Sequence, residues 1–329
     1  MSEVVTLQAF LDDWAGADPL RCAVAATVER LAEAGIAIAE LVARGPLAEE
    51  FGKVRGDDLN AGGDAQKELD VIAEEELVDA LGRAPVAFMA SEESETLIPL
   101  DPHGRVVVAV DPLDGSSNID TNVSVGTIYS ILPYDAERHV DPTAAVMQKG
   151  SAQIAAGFLV YGPATVLVST LGDGTQVFVF DHDTGAFLLA RERVEIAPAC
   201  KEYGINQSNV RHWAQPTQRY IEDCLAGKDG PRGKDFNMRW VGSLVADAFR
   251  IFTRGGVYLY PGDKRKGYAD GRLRLIYEAN PVAFVTEQAG GSATDGTTRI
   301  LDIEPHHIHQ RIPLVFGSRE EVAQIASYY

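Results

Sequence analysis

Two short apolar runs, Val86-Ala87-Phe88-Met89 and Val106-Val107-Val108-Ala109-Val110, each lead into acid: Ser91-Glu92-Glu93 after the first, Asp111-Pro112-Leu113-Asp114 after the second. Unbroken apolar runs of this length mark strands covered on both faces, so the chain must place layers on either side of a sheet. It must also hold two pairs of carboxylates at strand ends, where ligands commonly bind.

The flanking sequence supplies the layers. Leu20, Val24, Val28, Leu31, Ile38 and Leu41 keep helical spacing over 19–44. Asp18 can cap that helix, Pro19 suits its first turn, and Gly45-Pro46 stops it. Residues 45–64, rich in Gly and Asp, read as a mobile loop. Residues 65–81 read as a second helix with Leu69, Ile72, Leu77 and Leu81 on its apolar side. Further strands are expected at 125–132, 157–161, 165–171, 175–180 and near 186–190, with Gly172-Asp173-Gly174 and Asp183-Thr184-Gly185 as turns. After about residue 193 the pattern alternates: helices over 213–226, 241–253 and 281–289, and strands at 256–260 and 312–316. A last helix opens with Ser318 and Glu321 in capping-box spacing. The expectation is a mixed α+β and α/β chain of two domains. Residues 1–192 would pack helices on a largely antiparallel sheet, and residues 193–329 would form an α/β unit.

Charge narrows the function classes. The 329 residues carry 48 acidic against 29 basic side chains, a net charge of −19, which argues against a nucleic-acid or anionic-membrane partner. No apolar run approaches the roughly 18 residues of a membrane span, and Met1–Val5 lacks the basic start of a signal peptide. The three cysteines, Cys22, Cys200 and Cys224, lie far apart without a CxxC pair. They are expected to be inert and buried in a reducing cytoplasm. His306, His307 and His309 are read as ordinary side chains rather than as a metal site.

Hard divalent cations take carboxylate and carbonyl oxygens, with water and phosphate completing the shell. In Asp111–Ser117, Pro112 stiffens the turn and the two aspartates, three apart, can converge. Gly115 permits close backbone approach, and the amides and hydroxyls of Ser116 and Ser117 can donate to a phosphate. One stretch can thus hold cations and the anion they act on. Taken singly, the residues have ordinary readings. An acid-rich turn is usually a solvated loop and Asp70 a solvent-facing helix acid. Glu278 is a plain helix-start acid, Arg239 and Arg272 are surface ion pairs, and Tyr260 is half-buried packing.

Asp111-Pro112-Leu113-Asp114-Gly115-Ser116 resembles the signature of the metal-dependent, lithium-sensitive sugar and inositol phosphatases. Longer matches narrow it. Ser91-Glu92-Glu93, Asp111 to Asp120, Val123 to Thr127, Gly256 to Pro261, Arg272 to Glu278 and Ile308 to Arg311 together resemble the class I fructose-1,6-bisphosphatase family. The resemblance implies a layered αβαβα sugar-phosphatase fold and cleavage of the 1-phosphate of fructose 1,6-bisphosphate by water. It implies two or three Mg²⁺, for which Mn²⁺ can substitute, held by Glu92, Glu93, Asp111, Asp114, Glu278 and the Leu113 carbonyl. Gly115, Ser116 and Ser117 would hold the 1-phosphate. Asp70 with Glu93 would orient and deprotonate the water, and Asp64 with Arg274 would hold the 45–64 loop over the site. Asn206, Tyr260 and Arg272 would bind the sugar and 6-phosphate. Arg239 would reach the neighbouring subunit's site in a homotetramer.

The chain departs from the family pattern at Asn206-Gln207-Ser208-Asn209, at Trp240 and at Arg272. Two phenolic hydroxyls are thereby lost from the 6-phosphate pocket, which brings sedoheptulose 1,7-bisphosphate in as a second substrate. Arg105 and Val106 replace the Lys-Tyr pair of the animal AMP site, and no cysteine-bearing insert is present, so neither AMP inhibition nor thioredoxin control is expected. The rival readings are an inositol or nucleotide phosphatase and a non-catalytic metal- or sugar-phosphate-binding regulator.

Overall fold

The structure, a computed structural model, describes residues 4–47, 54–59, 65–139 and 141–329. Helix α1 (Leu7–Ala15) starts at Thr6, whose hydroxyl accepts the Ala9 N–H at 3.2 Å. Helix α2 (Pro19–Arg44) has the expected bounds: Asp18 accepts the Leu20 and Arg21 N–H groups at 2.9 Å each, and Gly45 at φ +52° ends it. The following segment corrects the loop reading. A strand β1 (Val54–Leu59) pairs antiparallel with β2 (Ala65–Lys67), and α3 (Glu68–Leu81) begins three residues later than expected.

The apolar runs become β3 (Val86–Ser91) and β5 (Val106–Asp114), with the short β4 (Ile98–Pro99) between them in sequence. β6 (Val125–Pro133), β7 (Ala155–Tyr161), β8 (Thr165–Thr170), β9 (Thr175–Asp181) and β10 (Ala186–Arg191) follow. The short helix α4 (Pro142–Val146) lies between β6 and β7. Among the described residues these strands form one eight-stranded sheet in the order β10-β9-β8-β7-β6-β5-β3-β4. It is antiparallel except where β3 runs parallel to β5. Both faces are buried, as the runs require. Val106, Val108 and Val110 lie on the face covered by α2 and α3, whereas Val107 and Ala109 face the opposite core.

That second core contains α6 (Leu244–Arg254) and α7 (Asn280–Gln288), which lie between the large sheet and a smaller one. The smaller sheet comprises β11 (Glu202–Gly204), β12 (Asn237–Met238), β13 (Val257–Tyr260), β15 (Ser292–Thr294) and β17 (Leu314–Gly317), in the order β12-β11-β13-β17-β15. Its outer face is covered by α5 (Gln215–Leu225) and α8 (Arg319–Ala326). A two-stranded ribbon of β14 (Leu273–Arg274) and β16 (Arg311–Ile312) completes the set. The layers read αβαβα, as the resemblance implied.

Two further expectations are corrected. The Ser318/Glu321 capping box does not form: the Ser318 hydroxyl accepts the Gly256 N–H at 3.2 Å. Glu321 turns inward to Tyr220, Arg232 and Lys234, at 2.9, 2.7 and 3.4 Å. A buried acid with three partners outweighs one cap, because an unpaired buried carboxylate is far costlier than an exposed amide. Cys200 and Cys224 are buried, but Cys22, on the outer side of α2, is exposed.

The close approach of layers leaves no room at Gly126, in the middle of the large sheet. A Cβ there would strike the Leu159 carbonyl of β7 and come 2.8 Å from Val245 of α6. Gly126→Ala should therefore destabilise the protein by about 1–3 kcal/mol, the usual cost of overpacking, read as a lower denaturation midpoint with an unchanged m-value.

Candidate functional site

Parallel pairing of β3 with β5 sends both chains out of the sheet on the same side. Ser91 is opposite Val110, and the Glu92 N–H donates to the Val110 carbonyl at 3.1 Å, so Glu92 emerges beside Asp111. The acids do not follow strand β5, as the sequence reading had it, but lie inside it. Its partners on β6 pass from Ile128 opposite Asp111 to Gly126 opposite Asp114, so β5 carries one extra residue between them. This is a β-bulge, and it is where Pro112, which has no N–H to give to the ladder, can sit. The Pro112 carbonyl is used by the Thr127 hydroxyl at 2.8 Å.

The bulge turns the two aspartates to different partners. One carboxylate oxygen each from Glu92, Asp111 and Glu278 lie within 4.8 Å of one another. Glu278 comes from far along the chain, on a π-turn (Leu275–Ala279) that packs on β5 and β6 and feeds α7, and accepts the Arg274 N–H at 2.6 Å. It is thus not a helix-start acid facing water but 5% exposed. Asp114 instead faces the start of α6, where it accepts the Val245 N–H at 2.9 Å and the Ser243 hydroxyl at 3.4 Å. The Leu113 N–H is spent on Asp111 at 3.1 Å. Arg274 reaches Glu92 at 3.3 Å.

Burial raises the pKa of Asp111, and Glu92, Asp114, Glu278 and Glu93 raise it further. Glu278 is likewise pushed well up by burial and by Glu92, against the pull of Arg274. Asp114 rises to about 6 through burial, despite the Val245 and Ser243 hydrogen bonds. Buried like charges of this kind persist where a cation compensates them. The donor set is carboxylate oxygen throughout, which fits a hard divalent ion and not a soft one. No histidine joins such a group among the described residues.

Asp70 is only 3% exposed, in the first turn of α3, which corrects its reading as a solvent-facing acid. One turn on, Glu74 accepts the Ser94 hydroxyl at 2.8 Å, so this face of α3 is turned toward the Ser91–Ser94 segment that carries the half-buried Glu93. Gly115 stands at φ +77° at the start of the turn Ser116–Thr121. Asn118 of that turn donates to the Gly242 carbonyl at 2.8 Å. Ser117 is exposed and Ser116 partly so. Asp64 lies outside the described residues.

A crevice nearby is lined by Asn206, Asn209, Tyr260, Arg265, Tyr268 and Arg272, over Trp213. Arg272 and Arg274 are two apart on β14 and its approach, so one serves the crevice while the other meets the acids. The Arg274 guanidinium also donates to the Arg272 carbonyl at 2.9 Å. The guanidinium groups of Arg265 and Arg272 both lie over the Tyr268 ring, at 4.7 and 5.0 Å. Trp240 stacks on Tyr258 at 5.4 Å and 13° and reaches Tyr260 at 6.0 Å. Arg239 is exposed, outside the crevice, 3.7 Å from Glu202. Sequence reasoning missed Arg265, Tyr268 and Ser243. The basic run Lys264-Arg265-Lys266 ahead of Tyr268 was a usable signal for the first two, and for Ser243 only the fold supplies one.

Five alternating layers, buried carboxylates at a bulge in one central strand and just beyond the end of its parallel neighbour, and a crevice with arginines beside them define the layered sugar-phosphatase class. Family models described as "Fructose-1-6-bisphosphatase, N-terminal domain" and "Fructose-1-6-bisphosphatase, C-terminal domain" match residues 11–192 and 196–329. A protein of Azorhizobium caulinodans named fructose-1,6-bisphosphatase class 1 is 89% identical over all of both chains. One of the same name from Sinorhizobium medicae is 51% identical over 98% of this chain and 93% of its own. The crystal structure of Leishmania major fructose-1,6-bisphosphatase in holo form superposes with a TM-score of 0.92 at 32% identity, covering 99% of each chain. The chain belongs to the class 1 fructose-1,6-bisphosphatase family, a metal-dependent one, and Glu92, Asp111 and Glu278 form its candidate metal-binding group. Among the described residues no helix is long and apolar enough to cross a membrane.

The raised carboxyl pKa values have a direct consequence for the metal-free protein. The folded state holds protons that the unfolded chain gives up near pH 4, so unfolding becomes easier as pH rises from about 4 through 6 and above. Thermal unfolding in chelator across that range should show the loss, a divalent cation should reverse it, and Asp111→Asn should flatten it while abolishing the reversal.

Proposed function

We propose that this chain hydrolyses the 1-phosphate of D-fructose 1,6-bisphosphate, giving fructose 6-phosphate and phosphate, through direct attack by water without a covalent intermediate. The observation that carries the reading is the pairing of a buried all-carboxylate cluster with a separate crevice that contains the Arg272 guanidinium and that of Arg265, the latter paired with Asp263. A monoester site has no use for the second. Family membership gives the same activity.

Two or three Mg²⁺, or Mn²⁺ in their place, would be held by Glu92, Glu93, Asp111, Asp114, Glu278 and the Leu113 carbonyl. They supply charge neutralisation at the phosphoryl oxygens and activation of water. The chain's own groups do the rest. Glu93 and Asp70 orient the water and take its proton. The amides and hydroxyls of Gly115, Ser116 and Ser117 hold the 1-phosphate, which suits a reaction governed by positioning and charge. Asp64 and Arg274 secure the 45–64 segment over the site. Asn206, Tyr260 and Arg272 bind the sugar and 6-phosphate, the planar guanidinium matching phosphate oxygens in pairs. Arg239 reaches the neighbouring subunit's site in a homotetramer, consistent with its exposure outside its own crevice. The working division is residues 1–192, which carry most cation ligands, and 193–329, which carry the crevice, in a cytoplasmic enzyme.

A second substrate is favoured by one observation. Trp240 lies flat on Tyr258 beside Tyr260, and Asn209 lines the crevice where the family carries tyrosine. A pocket with fewer fixed phenolic donors discriminates less between six- and seven-carbon esters, so sedoheptulose 1,7-bisphosphate is cleaved as well.

Phosphate release from both esters, with and without Mg²⁺, tests this. Cation-dependent release is expected, with kcat lowered on the order of 10²–10⁴-fold in Glu93→Gln, the range for loss of a general base. Asp114→Asn should lose cation binding with activity. Arg272→Ala should raise KM for the bisphosphates by about tenfold, the loss of one charge-assisted contact. No release from folded, cation-loaded protein, or full turnover in Asp114→Asn, would overturn the assignment and favour a binding regulator.

A further inference from the structure

Loop 239–243 lies between the two halves of the site, and it is held by a carboxylate that no role above uses. Asp247, on α6, is fully buried. Its carboxylate accepts the Val241 N–H at 3.1 Å and the Gly242 N–H at 3.2 Å, and meets the Arg250 guanidinium at 3.3 Å. Arg250 in turn pairs with Glu202 at 3.1 Å and donates to the Arg239 carbonyl at 3.5 Å, while Glu202 lies 3.7 Å from the Arg239 guanidinium. One buried acid is therefore tied to the near end of the loop directly and to its far end through Arg250.

The same turn of α6 faces the cation end. Ser243 and Val245 donate to Asp114, and the Gly242 carbonyl accepts from Asn118. Gly242 stands at φ +88°, a conformation that L side chains rarely adopt, so the loop has one specific path. Burying an ion pair to hold a loop brings little net stability compared with apolar packing. What it supplies here is geometry: the carboxylate aims two backbone amides and one guanidinium at once.

We propose that Asp247 is a positioning residue for the second phosphate. It locks loop 239–242 in place beside Asp114 and the 115–118 turn, so that Trp240 stays packed beside Tyr260 of its own crevice and Arg239 is presented to the second phosphate in the neighbouring subunit's site. The proposal rests on the reading of the site as a bisphosphate site.

The test uses full-length protein loaded with Mg²⁺, as wild type, Asp247→Asn, Arg250→Lys, Arg239→Ala and the Asp247→Asn/Arg239→Ala pair. Fructose 6-phosphate binding by calorimetry probes the far end, Mg²⁺ binding probes the near end, and kcat and KM are measured for fructose 1,6-bisphosphate. Asp247→Asn should weaken fructose 6-phosphate binding and raise KM on the order of tenfold, as for loss of one charge-assisted contact. It should leave Mg²⁺ binding unchanged and move kcat by less than about threefold, the pattern of lost uniform binding. In the Arg239→Ala background it should cost less than in wild type, because part of its action passes through that side chain. Arg250→Lys keeps the charge beside Asp247 but loses the fork to Glu202 and the Arg239 carbonyl. It should shift KM in the same direction, and it decides the matter if Asp247→Asn fails to fold. Equal losses of Mg²⁺ binding, kcat and KM, or a full additive loss in the Arg239→Ala background, would reduce Asp247 to a structural support. Wild type that binds fructose 6-phosphate without hydrolysing the bisphosphate would overturn the hydrolase reading alone. Unaltered fructose 6-phosphate binding in both variants would overturn the positioning role alone.

Discussion

Everything in this molecule is arranged around carboxylates that are brought together out of water. Glu92, Asp111 and Glu278 converge, and the Arg274 guanidinium lies against Glu92. Bringing ionised acids into a low-dielectric interior is expensive, and like charges at this distance add to the cost. Two backbone devices impose the arrangement. The parallel pairing of β3 with β5, in an otherwise antiparallel sheet, brings Glu92 beside Asp111. The bulge at Pro112 then separates the directions of Asp111 and Asp114. Neither device improves the sheet as a sheet, and both serve the cluster.

The central helical layer makes the site continuous across the two sheets. Glu278 arrives on the π-turn before α7, and Asp114 accepts from the first turn of α6. Helix N-termini offer unpaired N–H groups and a positive dipole end, which favour anions placed there. The middle layer thus binds the acids of the first sheet and, through β14 and the 239–243 loop, also presents the crevice residues. Arg272 and Arg274 express this economy most directly: two positions apart, one lines the crevice and the other meets Glu92.

Much of this was legible beforehand, for reasons that differ by element. Helix α2 was readable to its bounds, because its cap, its first-turn proline and its terminal glycine are local chemistry. The strands of the large sheet were readable because apolar runs and glycine turns carry their own period. The acids of Ser91-Glu92-Glu93 and Asp111-Pro112-Leu113-Asp114 stood out because both pairs close apolar runs. Where reading failed, a distant partner had taken the group. Ser318 and Glu321 have capping-box spacing, yet Gly256 claims the hydroxyl and the Tyr220–Arg232–Lys234 group claims the carboxylate. Residues 54–59 look like loop by composition, yet they pair with 65–67. Asp70 looks like a surface acid of a helix, yet it is buried.

The sequence by itself determined the layers, the acids that close the apolar runs, the oxygen-only donor set and the family. All of these reside in residue type and short spacing, which no packing can alter. Tertiary structure decided which acids converge on one another and which are held by amides. It set the bulge that parts Asp111 from Asp114, brought Arg265 and Tyr268 into the crevice, and placed Asp247 beneath the 239–243 loop. Those outcomes depend on contacts between segments as far apart as Glu92 and Glu278. The electrostatic cost of one buried carboxylate is settled only by what the rest of the chain brings against it.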